Sequence, residues 1–394
     1  MISIIKDKWK ELLLSIFLLI SFQPFYVWHT KTVALVTVLM ALLILFSGKM
    51  REKNAKNVFL IVVLIFLYSY VSIKGGYTII GYLVNLCILS IVLIKREKAI
   101  DIYNVFYKIF SIIIFLSLIT YCIVVILGVN LPSSSIPPLN EGKEEVAEYF
   151  RYPFLVVYYS YGILLPRFCG LFDEPGVVGT IAAFILVLNK FNLKDYFNYP
   201  VLIAGILSFS LFFYITTFVY IFIFGSTRVK ISMVVIFAAL LVLFAHNEIV
   251  NDMLFKRIVF SDNTIITDNR KLGLSPTWYK TFKESSSYYW GLGNQAHLKY
   301  NSGGSSYVDL IIDYGIIFFF IFCSTFVVSA LYRIKNKKNL ITFFVLFAGI
   351  IYQRPFITMT GYFYLLYAPI VILSFDTTSI YKKANKKLLV TTES

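Results

Sequence analysis

Histidine, cysteine and acidic side chains are scarce in this chain: three His, four Cys and 21 Asp plus Glu stand among 394 residues. Cys87, Cys122 and Cys323 fall inside apolar runs and Cys169 stands apart, so no Cys-x-x-Cys or Cys/His spacing supports a thiol zinc site or a disulfide framework. No motif calls for a metal or a cofactor. No unit of about 20 to 50 residues recurs, which removes solenoids and propellers. Charged residues make up only 14%, against roughly 25% in a soluble domain.

What fills the chain instead is hydrocarbon. Hydrophobic residues reach 59% and mean hydropathy is +0.78, above the roughly 45 to 50% apolar content of soluble domains. They fall in runs of about 15 to 25, the length of a bilayer crossing. The expected class is an all-α polytopic membrane protein. The net charge of +15 would suggest nucleic acid as the partner of a soluble chain. Here the lysines sit in short clusters between apolar runs, where they orient crossings, so nucleic acid is not expected. The opening MISIIKDKWKELLLSIFLLISF has a basic and an apolar region but no small-x-small cleavage pattern, and reads as a first span.

Crossings are expected near 11–25, 32–48, 58–73, 77–94, 103–128, 176–190, 231–246, 307–331, 339–352 and 362–377. The stretch 200–225 is ambiguous, and charge decides it. If it is a tight pair of short spans, the clusters around Lys6, Lys49, Lys95, Lys190, Arg228, Arg333 and Lys382 all share one side; a single crossing would put the last three outside. The pair gives about twelve spans with both termini cytoplasmic. The chain then divides into N-terminal spans (1–128), a first external loop (129–175), central spans (176–246), a second external loop (247–306), and C-terminal spans with a cytoplasmic tail (307–394). In the first loop a Pro/Ser-rich start resists helix, and the acidic stretch after it is expected to be helical.

Function is expected on the external face, where the unusual residues gather. PRFCGLFDEPGVVG (166–179) packs Arg167, Asp173, Glu174 and Pro175-Gly176 at the lip of a span. A helix starting at Pro175 puts both acids near its positive end. The plain reading is a cap and ion pair; the chemical one is a carboxylate base beside an arginine able to grip phosphate bidentately.

Arg167, Gly170, Phe172, Pro175, Gly176 and Gly179 together resemble the signature entering a middle span of the O-antigen polymerase and ligase superfamily. The second loop is similar as well, with Arg270, Trp278, Gly291-Leu-Gly293, and then Asp313 and Gly315 in the following span. The ordered anchors cover about 166–320. Where ligases of that superfamily carry His-Asn or His-Ser, this chain reads Gly304-Ser305, which favours polymerase over ligase.

The resemblance implies a GT-C-like enzyme of the bacterial inner membrane that polymerises undecaprenyl-diphosphate-linked repeat units at its outer face. The donor and acceptor are both lipid-linked glycans, and a chain-length-determining co-polymerase is an implied partner. Without a metal, arginines must neutralise the departing diphosphate: Arg167 and Arg270 at the family anchors, Arg354 at another external mouth. Glu174 is the first candidate base, with Asp309 and His297 next. Asp313, about one turn beyond Asp309, is expected to pair with an arginine. Trp278, Tyr289 and Trp290 offer flat faces for sugars. The competing expectations are a ligase or protein O-oligosaccharyltransferase of the same superfamily, and a lipid-linked oligosaccharide flippase or transporter.

Overall fold

The computed structural model describes residues 2–48, 50, 58–139, 147–160, 166–228, 230–231, 258–261, 264–268, 275–293, 295–300 and 307–375. Within them the chain is mostly helical. In chain order come α1 (Ile2–Ile20), α2 (Thr32–Phe46), α3 (Val58–Lys74), α4 (Ile79–Ile88) and α5 (Arg96–Tyr121), the last continued by a π turn, Cys122–Ile126. Next are α6 (Pro175–Leu188), α7 (Asn198–Leu207), α8 (Leu211–Phe224) and three short helices, α9 (Pro276–Glu284), α10 (Ser286–Trp290) and α11 (Ala296–Lys299). Three more close the bundle: α12 (Tyr307–Arg333), α13 (Lys337–Gln353) and α14 (Thr360–Leu373).

Two helices form the centre. Every residue of α6 is buried, as is every residue of α14 except Ile372. A helix apolar on all sides has no face to give to water and must be enclosed. The outer helices are apolar on both faces. Leu35, Leu39, Leu42 and Leu45 project outward from α2, and Phe59, Val62 and Phe66 from α3. These i, i+3, i+4, i+7 stripes form a contiguous apolar surface of the kind that marks a membrane or partner.

Among the described residues two helices are long and apolar enough to cross a membrane by length and composition: Arg96–Ile126 and Tyr307–Arg333. Seven more apolar helices run 10–17 residues. The stretch 200–225 forms α7 and α8, joined by the turn Ser208–Phe209–Ser210, with Phe209 in the left-handed region at φ 45°. The expected span at 231–246 lies outside the described residues beyond Ile231.

The first external loop departs from expectation. The expected acidic helix is absent at 147–152, which form a strand; 140–146 lie outside the described residues. β1 (Ser134–Ile136), β2 (Ala147–Tyr152) and β3 (Leu155–Ser160) make one antiparallel sheet in that order, with Tyr149 opposite Tyr158 and Phe150 opposite Val157. Aromatic and β-branched residues crowd this stretch, and they fit a pleated, half-buried surface better than a helix. Tyr149 packs edge-on against Trp28, 5.8 Å between ring centroids. A second pair, β4 (Ile258–Ser261) and β5 (Thr264–Asp268), is also antiparallel.

Hydrogen bonds knit each end of the bundle separately. At one, Lys10 donates to Ser47 (2.9 Å), Lys98 pairs with Glu11, Arg96 donates to the carbonyl of Ser374, and Asn339 donates to that of Leu373. At the other, the amide of Phe25 donates to the carbonyl of Leu171 (2.8 Å) and the hydroxyl of Tyr68 to that of Ile357 (2.5 Å). Tyr149 likewise donates to the carbonyl of Asp173, and Tyr70 to that of Trp290. Glu174, Arg354 and Asp313 are tied to this second end, opposite Lys10 and Lys98.

Candidate functional site

Helix α6 starts at Pro175, whose fixed φ suits a first helical position. Glu174 is its N-cap, in extended backbone at φ −138°, ψ 140°. Its carboxylate does not turn back to cap the helix; it receives the Nη2 of Arg354, the residue that ends α13. The two partners differ in exposure, 8% for the arginine side chain and 32% for the carboxylate, so the guanidinium is sunk beneath its partner.

The arginine lies flat over Gly176, where a Cβ would sit 2.7 Å from Nη2, so a side chain there would displace the guanidinium. Burial alone would lower the Arg354 pKa, but the charge of Glu174, with Tyr362 and Asp173 behind it, holds it above the usual range. Arg354 is therefore a fixed cation. Its Nε and the Oε1 of neighbouring Gln353 are buried with no hydrogen-bond partner among the described residues.

Arg167 is also buried, at 7% exposure, with its fork turned to the backbone. Nε and Nη2 donate to the carbonyl of Ser208 at 3.0 and 2.8 Å, and Nη2 also to that of Phe209 at 2.8 Å. It thus satisfies the carbonyl end of α7 and holds the α7–α8 turn, a favourable place for a cation. Arg270 lies outside the described residues.

The second group is built on α12. Among the described residues Asp313 pairs with a histidine and two amides, not with an arginine as the sequence suggested. Its Oδ2 accepts from the amide of Gln295 (3.1 Å) and meets Nδ1 of His297 (2.8 Å), while Oδ1 accepts from the amide of His297 (3.0 Å). The reason lies in the backbone. Gly315 breaks α12 at φ 86°, ψ 162°, and the loop after α10 is laid directly against the break. The amides of Leu292 and Gly293 donate to the carbonyls of Ile312 (2.8 Å) and Asp313 (2.9 Å). A Cβ on Gly291 would strike the carbonyl of Asp313, and one on Gly315 the carbonyl of Tyr289. The Gly-Leu-Gly and Asp-x-Gly anchors are thus two halves of one joint.

Asp309 stands one turn before Asp313, buried at 7%, and its charge reaches His297. Burial alone would lower the His297 pKa, but the hydrogen bond and charge of Asp313, aided by Asp309, raise it above the usual 6.5. Nδ1 is engaged by Asp313, and Nε2 is left as the ring's other proton site. The sign of the pH effect follows from a raised value. The stabilisation from charged His297 is fully present below about pH 6.5 and is lost as pH rises through the folded value. The thermal midpoint of the protein should fall over that window, and His297→Gln should flatten the step by at most about 1.5–3 kcal/mol, the range for a hydrogen bond to a charged group. Thermal scans of both proteins from pH 5 to 9 check it; parallel curves would contradict it.

The aromatic candidates separate into two kinds. Trp278 is stacked between Tyr300 (4.1 Å) and Phe282 (5.2 Å) and anchors the loop, whereas Tyr289 and Trp290 are 52% and 56% exposed. Tyr307, at the head of α12, stacks on Tyr352, 6.2 Å away and two residues before Arg354. The start of α12 and the end of α13 therefore lie side by side. No family model, curated protein or solved structure matches this chain. The geometry must therefore carry the functional reading. Sequence reasoning passed over Gln353 and Tyr362; their only signal was adjacency to Arg354 and to a span mouth.

Proposed function

We propose that the chain polymerises undecaprenyl-diphosphate-linked oligosaccharide repeat units into O-antigen or a related surface polysaccharide, at the outer face of the bacterial inner membrane. The observation that carries this reading is Arg354: a buried, permanently charged guanidinium, resting on a helix N-terminus and paired to a partly exposed carboxylate. On this reading the bundle is polytopic and GT-C-like, with about twelve spans and both termini in the cytoplasm, and the end carrying Glu174 and Asp313 faces outward.

In the transfer, a sugar hydroxyl of the acceptor attacks the anomeric carbon of the donor glycan. The bond from that carbon to the diphosphate oxygen breaks, and the lipid diphosphate leaves with the electron pair. Arg354 exchanges Glu174 for a phosphate oxygen, using a preorganised fork in a dry setting. The freed Glu174 takes the hydroxyl proton. Arg270 adds to the cationic set, Asp309 and His297 serve proton transfer, and Tyr289 and Trp290 face the glycan, while Arg167 and Trp278 hold the turn and the loop that shape the site. A chain-length-determining co-polymerase is the expected partner.

A ligase or protein O-oligosaccharyltransferase is the second reading, favoured by one feature: His297 is oriented by Asp313, as a histidine base needs to be. Deletion of the gene and electrophoresis of the surface glycan separate these. A polymerase deletion loses the ladder but keeps a single repeat unit, a ligase deletion loses both, and a flippase deletion accumulates lipid-linked units inside the cell. Only the first pattern agrees with the proposal.

A further inference from the structure

A cleft of about 240 Å³ opens at the lysine end of the bundle, away from the groups described above, between the last turns of α6, α8 and α14 and the first turn of α13. Its floor includes Val187, Tyr220 and Leu373, all buried. Its rim is polar and exposed, with Lys190, Lys338 and Asn336. No acidic side chain lines it, and neither lysine takes part in an ion pair among the described residues. Two amides of the first turn of α13 are already satisfied, because Asn336 Oδ1 accepts from those of Lys338 (2.8 Å) and Asn339 (3.3 Å). What the cleft offers is two uncompensated ammonium groups over a greasy floor.

We propose that this cleft seats the phosphate headgroup of an anionic membrane lipid, with Lys190 and Lys338 on the phosphate oxygens and the start of an acyl chain on the apolar floor. Lysine is a point-charge binder of phosphate, and its attraction to anionic headgroups adds up residue by residue. A free phosphate would use the rim and leave the floor bare, which is why the lipid is the better occupant. The lysines could instead only complement the negative ends of α6 and α14, a role that requires no ligand. The inference is independent of the glycosyl-transfer reading.

The test uses the full chain purified in a neutral detergent, offered phosphatidylglycerol, phosphatidylcholine or inorganic phosphate, with retained lipid measured by native mass spectrometry and stability by thermal midpoint. Wild type should retain phosphatidylglycerol over phosphatidylcholine by about tenfold or more, the separation expected from two lysines at an anionic headgroup. Inorganic phosphate should neither displace the lipid nor raise the midpoint. Lys190→Gln with Lys338→Gln should lose the preference, while Lys335→Gln with Lys337→Gln, whose side chains do not line the cleft, should keep it. Equal retention of the two lipids by wild type overturns the proposal whatever the variants do. So does an equal loss in both double variants, which would indicate diffuse charge. Displacement of lipid by inorganic phosphate overturns the choice of occupant, and an equal drop in midpoint with either lipid would leave only the helix-end role.

Discussion

Arg354→Lys should reduce glycan polymerisation by about 10²–10³-fold, the cost of removing one preorganised donor from a charge-stabilising site, while the protein stays folded. Lysine keeps the charge but loses the planar fork that grips a phosphate through two parallel donors. The residue lies under its partner and over Gly176, where there is no room for a rearranged side chain. Arg354→Ala is the harsher change. Removing one partner of a buried pair costs about 3–5 kcal/mol; the 32% exposure of Glu174 puts the expected loss at the lower end. Ladder intensity in complemented cells reads the first effect and the thermal midpoint of the purified protein the second. A lysine variant that polymerises normally would remove Arg354 from the chemistry.

Gly315→Ala should be severely damaging for so small a change. At φ 86° an alanine is strained, and strain of that kind costs about 1–3 kcal/mol by itself. The added Cβ would also collide with the carbonyl of Tyr289 and the amide of Gly291. That joint holds the loop carrying His297 against Asp313, so the sum should exceed about 4 kcal/mol, the range of exceptional substitutions. Gly48→Ala is the matched control, since a Cβ there meets nothing within 4 Å. The expected outcome is loss of folded, detergent-extractable protein for the first and normal yield for the second.

Local features of the fold were legible in the sequence where local chemistry decides them. Pro175 after Glu174 marked the start of α6, and charge parity alone divided 200–225 into the two short helices α7 and α8. The strand at 147–152 was misread because Glu144, Glu145 and Glu148 suggest a helix, whereas Tyr149, Phe150 and Tyr152 decide the outcome by packing against β3 and Trp28. The site was legible as a set of residues and illegible as a set of pairs. Glu174 and Arg354 are 180 positions apart, and nothing in either neighbourhood names the other. Asp313 was expected to meet an arginine because helical spacing alone placed it. The break at Gly315 docks the loop against it instead, and His297 takes its carboxylate. Arg167 shows the same limit: its sequence context suggested phosphate, while its fork is engaged by carbonyls of a turn 41 and 42 residues away.

The central claim is that the Glu174–Arg354 end transfers glycan from a lipid diphosphate. Its most direct test is the purified protein in vesicles supplied with lipid-linked repeat units from a strain lacking the gene. The account predicts release of undecaprenyl diphosphate in proportion to new glycosidic bonds, abolished in Glu174→Gln and Arg354→Lys. Folded wild-type protein that releases none, or variants that release as much as wild type, would contradict it.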